Sequence, residues 1–384
     1  MQEENKSLLI IQRRITEYRV PFFEQLRQRL SEYNIILTIG SGNPNEDEKL
    51  RHDNMNLSWG IQIPCNYYRM NGFQVVWQKI PLHIYKKQDL IIMPHENSML
   101  FNYYLLLKRR FNQIKLAFWG HGGNFQSQSR GYREKIKSWT TRQVDWWFAY
   151  TSLSVERIIK NGFPEDRITY VNNSIDTNKL IEWHNGITLD ELKALQRALG
   201  LEGSNVGVFI GSLHAQKRLD FLFAAASELR RRLRNYELII IGDGDLRGKV
   251  KDFIKEHTWA RWTGALHDRE KVLHMALGKV ILNPGLVGLN ILDSFALGIP
   301  MITTDCGIHS PEIAYLESGR NGIMTSDNLG DYVTAVEELL KNDQKREQMA
   351  SACIEDSRKY TLEKMVENFT HGILQALQHE PLRK

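Results

Sequence analysis

The chain has 384 residues, 42% hydrophobic and 25% charged, with 50 Lys+Arg against 45 Asp+Glu. That length exceeds one ordinary core and asks for two domains, and that composition excludes a disordered chain. No run of about 18 apolar residues occurs, which excludes a membrane-spanning helix, and Cys65, Cys306 and Cys353 lie too far apart for a metal site or a disulfide framework.

The polar start Met1-Gln-Glu-Glu-Asn-Lys6 runs straight into an apolar stretch. It reads as carrying no secretion signal, so a cytoplasmic protein is expected. Residues 7–12 read as a buried strand and 13–19 as a polar loop at its carboxyl end. Pro21 with the spacing Phe22, Phe23, Leu26, Leu30 predicts an amphipathic helix, and 34–40 returns as a strand to complete a βαβ unit. Ligands of open parallel sheets gather beyond the carboxyl ends of strands, which makes Arg13, Arg14, Tyr18 and Arg19 candidate acceptor-side residues. Residues 64–68 read as a loop and 72–77 as a strand. A strand over 89–93 delivers His95 and Glu96, two further acceptor-side candidates, and 98–110 reads as a helix closing on Lys108-Arg109-Arg110. A strand over 115–119 opens into Gly120-His-Gly-Gly-Asn124. A histidine between three glycines has little packing around it, so His121 is a functional candidate. Residues 133–144, 146–150 and 152–161 read as helix, strand and helix, 170–176 as a strand with a polar exit, and 177–204 as a charged, helical linker.

A second βαβ series starts at Val206. Its strand over 206–210 ends in Gly211-Ser212, and the loop carries Lys217 and Arg218 just before a helix over 219–229, where two cations suit a diphosphate. Residues 236–241 form the next strand, followed by the turn Gly242-Asp-Gly-Asp245. Gly264 and Ala265 follow a further short strand and expose backbone groups to a base edge. The stretch from Val280 to Pro300 reads as a buried strand over 280–282, turn chemistry at Asn283-Pro284-Gly285, and a helix start after Gly288. Such a junction aims backbone N–H groups and a helix dipole at one point, which suits phosphate, with Asp293 one turn further for a ribose. Residues 328–340, 343–358 and 362–377 are predicted helices.

Charge divides along the chain: residues 1–180 carry 25 Lys+Arg against 17 Asp+Glu, the remainder 25 against 28. The basic half suits anionic lipid headgroups or a phosphate-bearing acceptor, and no nucleic-acid-binding motif accompanies it.

In order and spacing, Gly211…Lys217, Gly242-Asp-Gly, Trp262-Thr-Gly, Pro284-Gly…Gly288…Asp293 and His309-Ser-Pro-Glu-Ile313…Gly319-Arg-Asn-Gly322 resemble family 4 glycosyltransferases of the GT-B fold. So do Tyr18-Arg-Val-Pro-Phe-Phe-Glu24, Trp119-Gly-His-Gly122 and Val171-Asn-Asn-Ser-Ile-Asp176 in the first half. The resemblance covers about residues 7–375. It implies an α/β protein of two Rossmann-like domains facing across a cleft: 1–180 on the acceptor side, with a C-terminal helix from about 360 to 384 packing back on it, and 181–359 binding the nucleotide sugar. It also implies a retaining, metal-independent hexosyltransferase with no cofactor beyond its nucleotide-diphosphate sugar, a UDP-sugar first. The acceptor would be a glycan or lipid-linked saccharide of surface-polysaccharide type, with possible contact to anionic inner-membrane lipid. Lys217 and Arg218 would hold the phosphates with His121 as the third catalytic group. Gly211, Ser212, Gly242, Gly264, Ala265, Gly285, Leu286, Val287, Gly288, Leu289 and Asp293 would bind donor. Two residues depart from the family pattern: Gly285 stands at the first carboxylate of its Glu-x7-Glu motif and Ser212 where relatives carry an arginine. Asp305, His309 and Glu312 are candidates for reshaping the sugar pocket.

Overall fold

Strands of a parallel sheet bury both faces, so successive residues must serve two different cores. In a computed structural model, which describes residues 5–49, 53–70, 73–109, 111, 114–123 and 132–382, the first sheet follows that rule. Its strands are β1 (Lys6–Gln12), β2 (Ile35–Gly42), β3 (Ile61–Ile63), β4 (Leu90–Pro94), β5 (Leu116–Gly120), β6 (Trp146–Ala149) and β7 (Ile168–Tyr170). They run parallel in the order β7-β6-β5-β4-β1-β2-β3. Leu8, Ile10, Leu90, Ile92, Trp119 and Phe148 face one core; Leu9, Ile11, Ile91, Met93, Phe118 and Trp147 face the other.

The first core is covered by α1 (Val20–Ser31) and by the C-terminal helix Leu362–Gln378. Phe369 of that helix stacks on Phe148 at 4.3 Å and meets Trp119 and Phe22 edge-on at 5.0 and 5.3 Å. Gly372 lets the helix close on the sheet, because a Cβ there would lie 2.8 Å from the Phe148 ring and overlap Thr169 Oγ1. The opposite face carries α2 (Leu82–Tyr85), α3 (Leu100–Arg109) and α4 (Ser152–Lys160). Residues 1–175 and 362–384 form this unit, and 176–361 form a second one. The division falls before residue 180 because Thr177–Asn185 packs on helices of the second unit.

The second sheet comprises β8 (Asn205–Ile210), β9 (Tyr236–Ile241), β10 (Ala260–Gly264), β11 (Val280–Leu282), β12 (Met301–Thr304) and β13 (Gly322–Thr325), parallel in the order β10-β9-β8-β11-β12-β13. Phe209, Leu238, Ile240, Val280, Leu282 and Ile302 pack one face against Leu219–Arg232 and Leu329–Lys341.

Local chemistry corrects several readings. Residues 65–70 are no loop: Cys65–Met70 pairs antiparallel with Phe73–Gln78. The strand expected over 170–176 stops at Tyr170, and Asn172 is left-handed at φ 55°. Trp262 to Gly264 lie within β10 instead of following it. The linker over 177–204 is two helices of the second unit, Thr177–Asn185 capped by the Asp176 carboxylate and Leu189–Ala198 started by a Thr188/Glu191 capping box. Gly72, Arg110 and Asn124 lie outside the described residues.

Candidate functional site

Three chain segments converge at the carboxyl ends of β8, β9 and β11. Gly242 is obligatory there, since a Cβ would overlap Gly211 O, so the exits of β8 and β9 touch through bare backbone. Gly211 in turn leaves room for Lys217, whose Cε would lie 3.0 Å from an added Cβ. Lys217 ends the 3-10 turn Ala215–Lys217 and is 5% exposed. Its Nζ donates to Leu286 O at 2.6 Å, and burial pushes its pKa down to about 8.

The loop after β11 is docked on that turn. Leu286 N–H donates to Gln216 O at 2.9 Å and Asn283 Nδ2 to Leu286 O at 3.2 Å. Gly285 explains the closeness: a Cβ there would overlap Gln216 O and lie 2.7 Å from the carbonyl carbon of Lys217. His309, buried, accepts from Val287 N–H through Nδ1 at 3.1 Å and donates from Nε2 to Thr304 O at 2.7 Å. Those two partners fix its tautomer with the proton on Nε2. Gly288 N–H is taken by Asn290 Oδ1 at 3.1 Å. The sequence suggests bare amides from Gly285 to Leu289; in the fold, Leu286, Val287 and Gly288 spend theirs on protein partners. At the first turn of the helix Asn290–Leu297, Leu289 and Asn290 N–H have no partner among the described residues.

Arg218 adopts a left-handed backbone at φ 55°. Its Nη1 reaches Asp327 Oδ1 at 2.5 Å, Thr304 Oγ1 at 3.1 Å and Pro284 O at 3.3 Å, with the guanidinium 4.7 Å over Phe221. It clamps the loop from behind, where sequence alone suggested a phosphate ligand. Asp293 is buried and its Oδ1 is held by Lys271 Nζ at 2.7 Å. Gly264, at φ 78°, borders open space, for a Cβ there meets nothing within 4 Å; Ala265 and Ser212 are exposed. Asp305 is exposed and Glu312 buried.

The first unit treats its candidates differently from one another. His121 is half-buried and edge-on to Tyr150 at 4.7 Å, in a loop that Gly122, at φ 71°, seats against Ile158. Arg19 is buried among Tyr18, Trp119 and Tyr150 at 5.1, 5.0 and 5.7 Å, and its Nη2 donates to Asn173 Oδ1 at 2.6 Å. His95 is also buried, between Phe118 and Trp147, with Nε2 3.1 Å from Thr140 Oγ1. Arg13 pairs with Glu48 at 2.5 Å and Glu96 at 3.3 Å; Arg14 pairs with Asp53 at 2.7 Å and Glu48 at 3.5 Å. The expected open cationic acceptor loop is therefore a neutralised network, and of the aromatic and basic candidates in it Tyr18 stays exposed. Among the described residues no group of three or more His, Cys, Asp or Glu is placed to hold a metal ion, and no helix is long and apolar enough to cross a membrane.

Sequence reasoning missed Lys271 as the partner of Asp293 and the bracing role of His309. Neither carries a local signal, since Lys271 and Asp293, like Val287 and His309, lie 22 residues apart.

These two parallel sheets with glycine exits define the protein as one of the GT-B fold. Anabaena Alr3699/HepE, solved in complex with UDP, superposes over 96% of this chain and 100% of its own at a TM-score of 0.71 and 12% identity. A Rickettsia africae glycosyltransferase does so over 98% and 100% at 0.73 and 12%. Residues 204–342 match the family model described as glycosyl transferases group 1. The chain is 27% identical over 177 residues to an alpha-D-kanosaminyltransferase of Streptomyces kanamyceticus, 44% of this chain and 45% of that one. It is 24% identical over 267 residues to an uncharacterized glycosyltransferase of Methanocaldococcus jannaschii, 62% and 64% of the two chains. The matches thus span about half to two thirds of these relatives.

Proposed function

We propose that the chain is a retaining glycosyltransferase that moves a hexose-type sugar from a nucleotide-diphosphate sugar, a UDP-sugar first, to a glycan or lipid-linked saccharide, with no metal and at the cytoplasmic side of a membrane. The observation that carries this is a buried lysine in the turn after β8, beside a helix start whose first two amides have no partner among the described residues, inside a segment matching group 1 glycosyl transferases. A cation and N–H groups so arranged stabilise negative charge gathering on a departing diphosphate. Structural neighbours solved with UDP, with UDP-glucose, and with UDP and GlcNAc support a uridine nucleotide as the first donor to try.

In the reaction proposed, the bond from the sugar C1 to the diphosphate oxygen breaks and a bond from C1 to the acceptor oxygen forms on the same face. The acceptor proton passes to the diphosphate. Lys217 balances the leaving-group charge, Asp293 receives ribose hydroxyls through the oxygen Lys271 leaves open, and His121 serves the sugar. Arg218 acts by holding the loop at Pro284 and Thr304.

A second reading, a sugar-nucleotide-binding module without turnover, is favoured by Gly285, where no carboxylate stands and none fits. Incubation with a UDP-, GDP- and dTDP-sugar panel separates the readings. Free nucleoside diphosphate that appears only with acceptor supports the transferase. Isomerised sugar would make it an epimerase, and binding without turnover would leave the module.

A further inference from the structure

A buried peptide group that no ladder serves must find its partners among side chains. The peptide between Leu286 and Val287 is one, buried with both residues and bonded at both ends. Its carbonyl accepts from Lys217 Nζ at 2.6 Å and from Asn283 Nδ2 at 3.2 Å. Its N–H donates to His309 Nδ1 at 3.1 Å, and His309 Nε2 donates onward to Thr304 O at 2.7 Å. Thr304 ends β12, where it pairs with Thr325 of β13. A single line of hydrogen bonds therefore runs from the ammonium of Lys217, through the peptide and the imidazole, to the second sheet. The neighbouring peptides are held separately: Leu286 N–H donates to Gln216 O and Ser310 N–H to Val287 O, each at 2.9 Å.

We propose that His309 is a positioning residue for Lys217: by accepting from Val287 N–H it keeps the 286–287 peptide turned so that Leu286 O faces the ammonium. The inference rests on the diphosphate site proposed above for the ligand of that cation, and His309 itself touches none of it. Lysine ends a flexible stem, so a buried ammonium stays in one place only where an acceptor holds it. Leu286 O does so at the cost of one N–H and leaves the others for a ligand. Without His309 the peptide could turn over on its own, because the bonds of the two flanking peptides do not involve it. Such a turn takes the carbonyl from the ammonium and is opposed now by the N–H that would lose its acceptor. A neutral imidazole fits this place because its rigid ring carries one acceptor and one donor, and both are spent here. Bonds linked through a peptide also polarise one another, so the two ends of the line are coupled. The thiol of Cys306, 3.6 Å from Nε2, lies farther away than Thr304 O and outside the line.

The test divides the two ring nitrogens. Asparagine sets an amide oxygen where Nδ1 stood and glutamine an amide N–H where Nε2 stood, so His309→Asn keeps the bond to Val287 and His309→Gln keeps the one to Thr304. Nuclear magnetic resonance of the full chain with isotope-labelled lysine reads Lys217, whose signal is assigned by its loss in Lys217→Met. That signal should keep its wild-type position in His309→Asn and move in His309→Gln. In calorimetry with UDP, His309→Gln should bind at least about tenfold more weakly than wild type and His309→Asn within about threefold. Cys306→Ser should match wild type in both measurements. Each histidine variant loses one bond of the same ring, so a merely structural role would affect them alike. An unmoved Lys217 signal in His309→Gln, equal effects of the two variants, or an effect of Cys306→Ser as large as that of His309→Gln would each overturn the proposal. Should a histidine variant fail to fold, Lys217→Met reads the line from its other end: the imidazole nitrogen signals of His309 should shift, and unshifted signals would overturn it as well. Failure of the wild-type chain to bind UDP, GDP or dTDP would remove the diphosphate reading alone, since the Lys217 signal still decides whether His309 positions the lysine.

Discussion

Gly285 and Lys217 together show what a single residue decides here. The resemblance to family 4 glycosyltransferases puts a carboxylate at 285, and its absence looks from sequence like a simple loss. The fold gives it a cause, because the Gln216–Lys217 backbone occupies the place of the side chain. Gly285→Glu should therefore fail to restore a donor contact and should destabilise the protein by about 1–3 kcal/mol through overpacking, read from urea unfolding. An unchanged midpoint with raised activity would refute this. Lys217 carries a proton linkage of definite sign. Burial lowers its pKa to about 8, whereas an unfolded lysine titrates near ~10.4, so between those values the unfolded chain holds the extra proton. This group then makes wild-type stability rise with pH from about 8 to about 10.4, and costs stability below that window. Lys217→Met should lack the rise; parallel urea profiles for both proteins across the window would contradict the assignment.

At the scale of elements, the C-terminal helix is held on the first sheet by aromatic rings more than by polar bonds. Phe369 touches Phe148, Trp119 and Phe22 at once. Phe369→Ala should cost about 3–5 kcal/mol, measured by denaturant unfolding, and a cost under about 1 kcal/mol would mean the helix is only loosely docked. The amphipathic spacing of 362–377 made that helix legible in the sequence, as the strand, glycine and helix order made the loop at 283–290. Such patterns are local, fixed by period and turn chemistry. What stayed hidden is what distance along the chain conceals. Residues 65–68 gave no strand signal because their partner strand, not their own alternation, makes the hairpin. The loop at 13–19 looked cationic because Glu48, Asp53 and Glu96 come from other elements. Arg218 looked like a phosphate ligand until Asp327, 109 residues away, took its charge. The amides of 286–288 looked bare for the same reason, their acceptors Gln216, His309 and Asn290 being set by tertiary folding or by a side-chain turn.

Over the whole molecule, the functional reading concentrates on the second unit. Its glycine exits bring Lys217 and the start of the helix Asn290–Leu297 together, and a diphosphate is the ligand proposed for them. Calorimetric titration of UDP into the wild-type chain and into Lys217→Met tests this directly. A charge-assisted hydrogen bond is worth about 1.5–3 kcal/mol, so the variant should bind at least about tenfold more weakly while melting within a few degrees of wild type. Equal affinity in the two proteins would contradict the account.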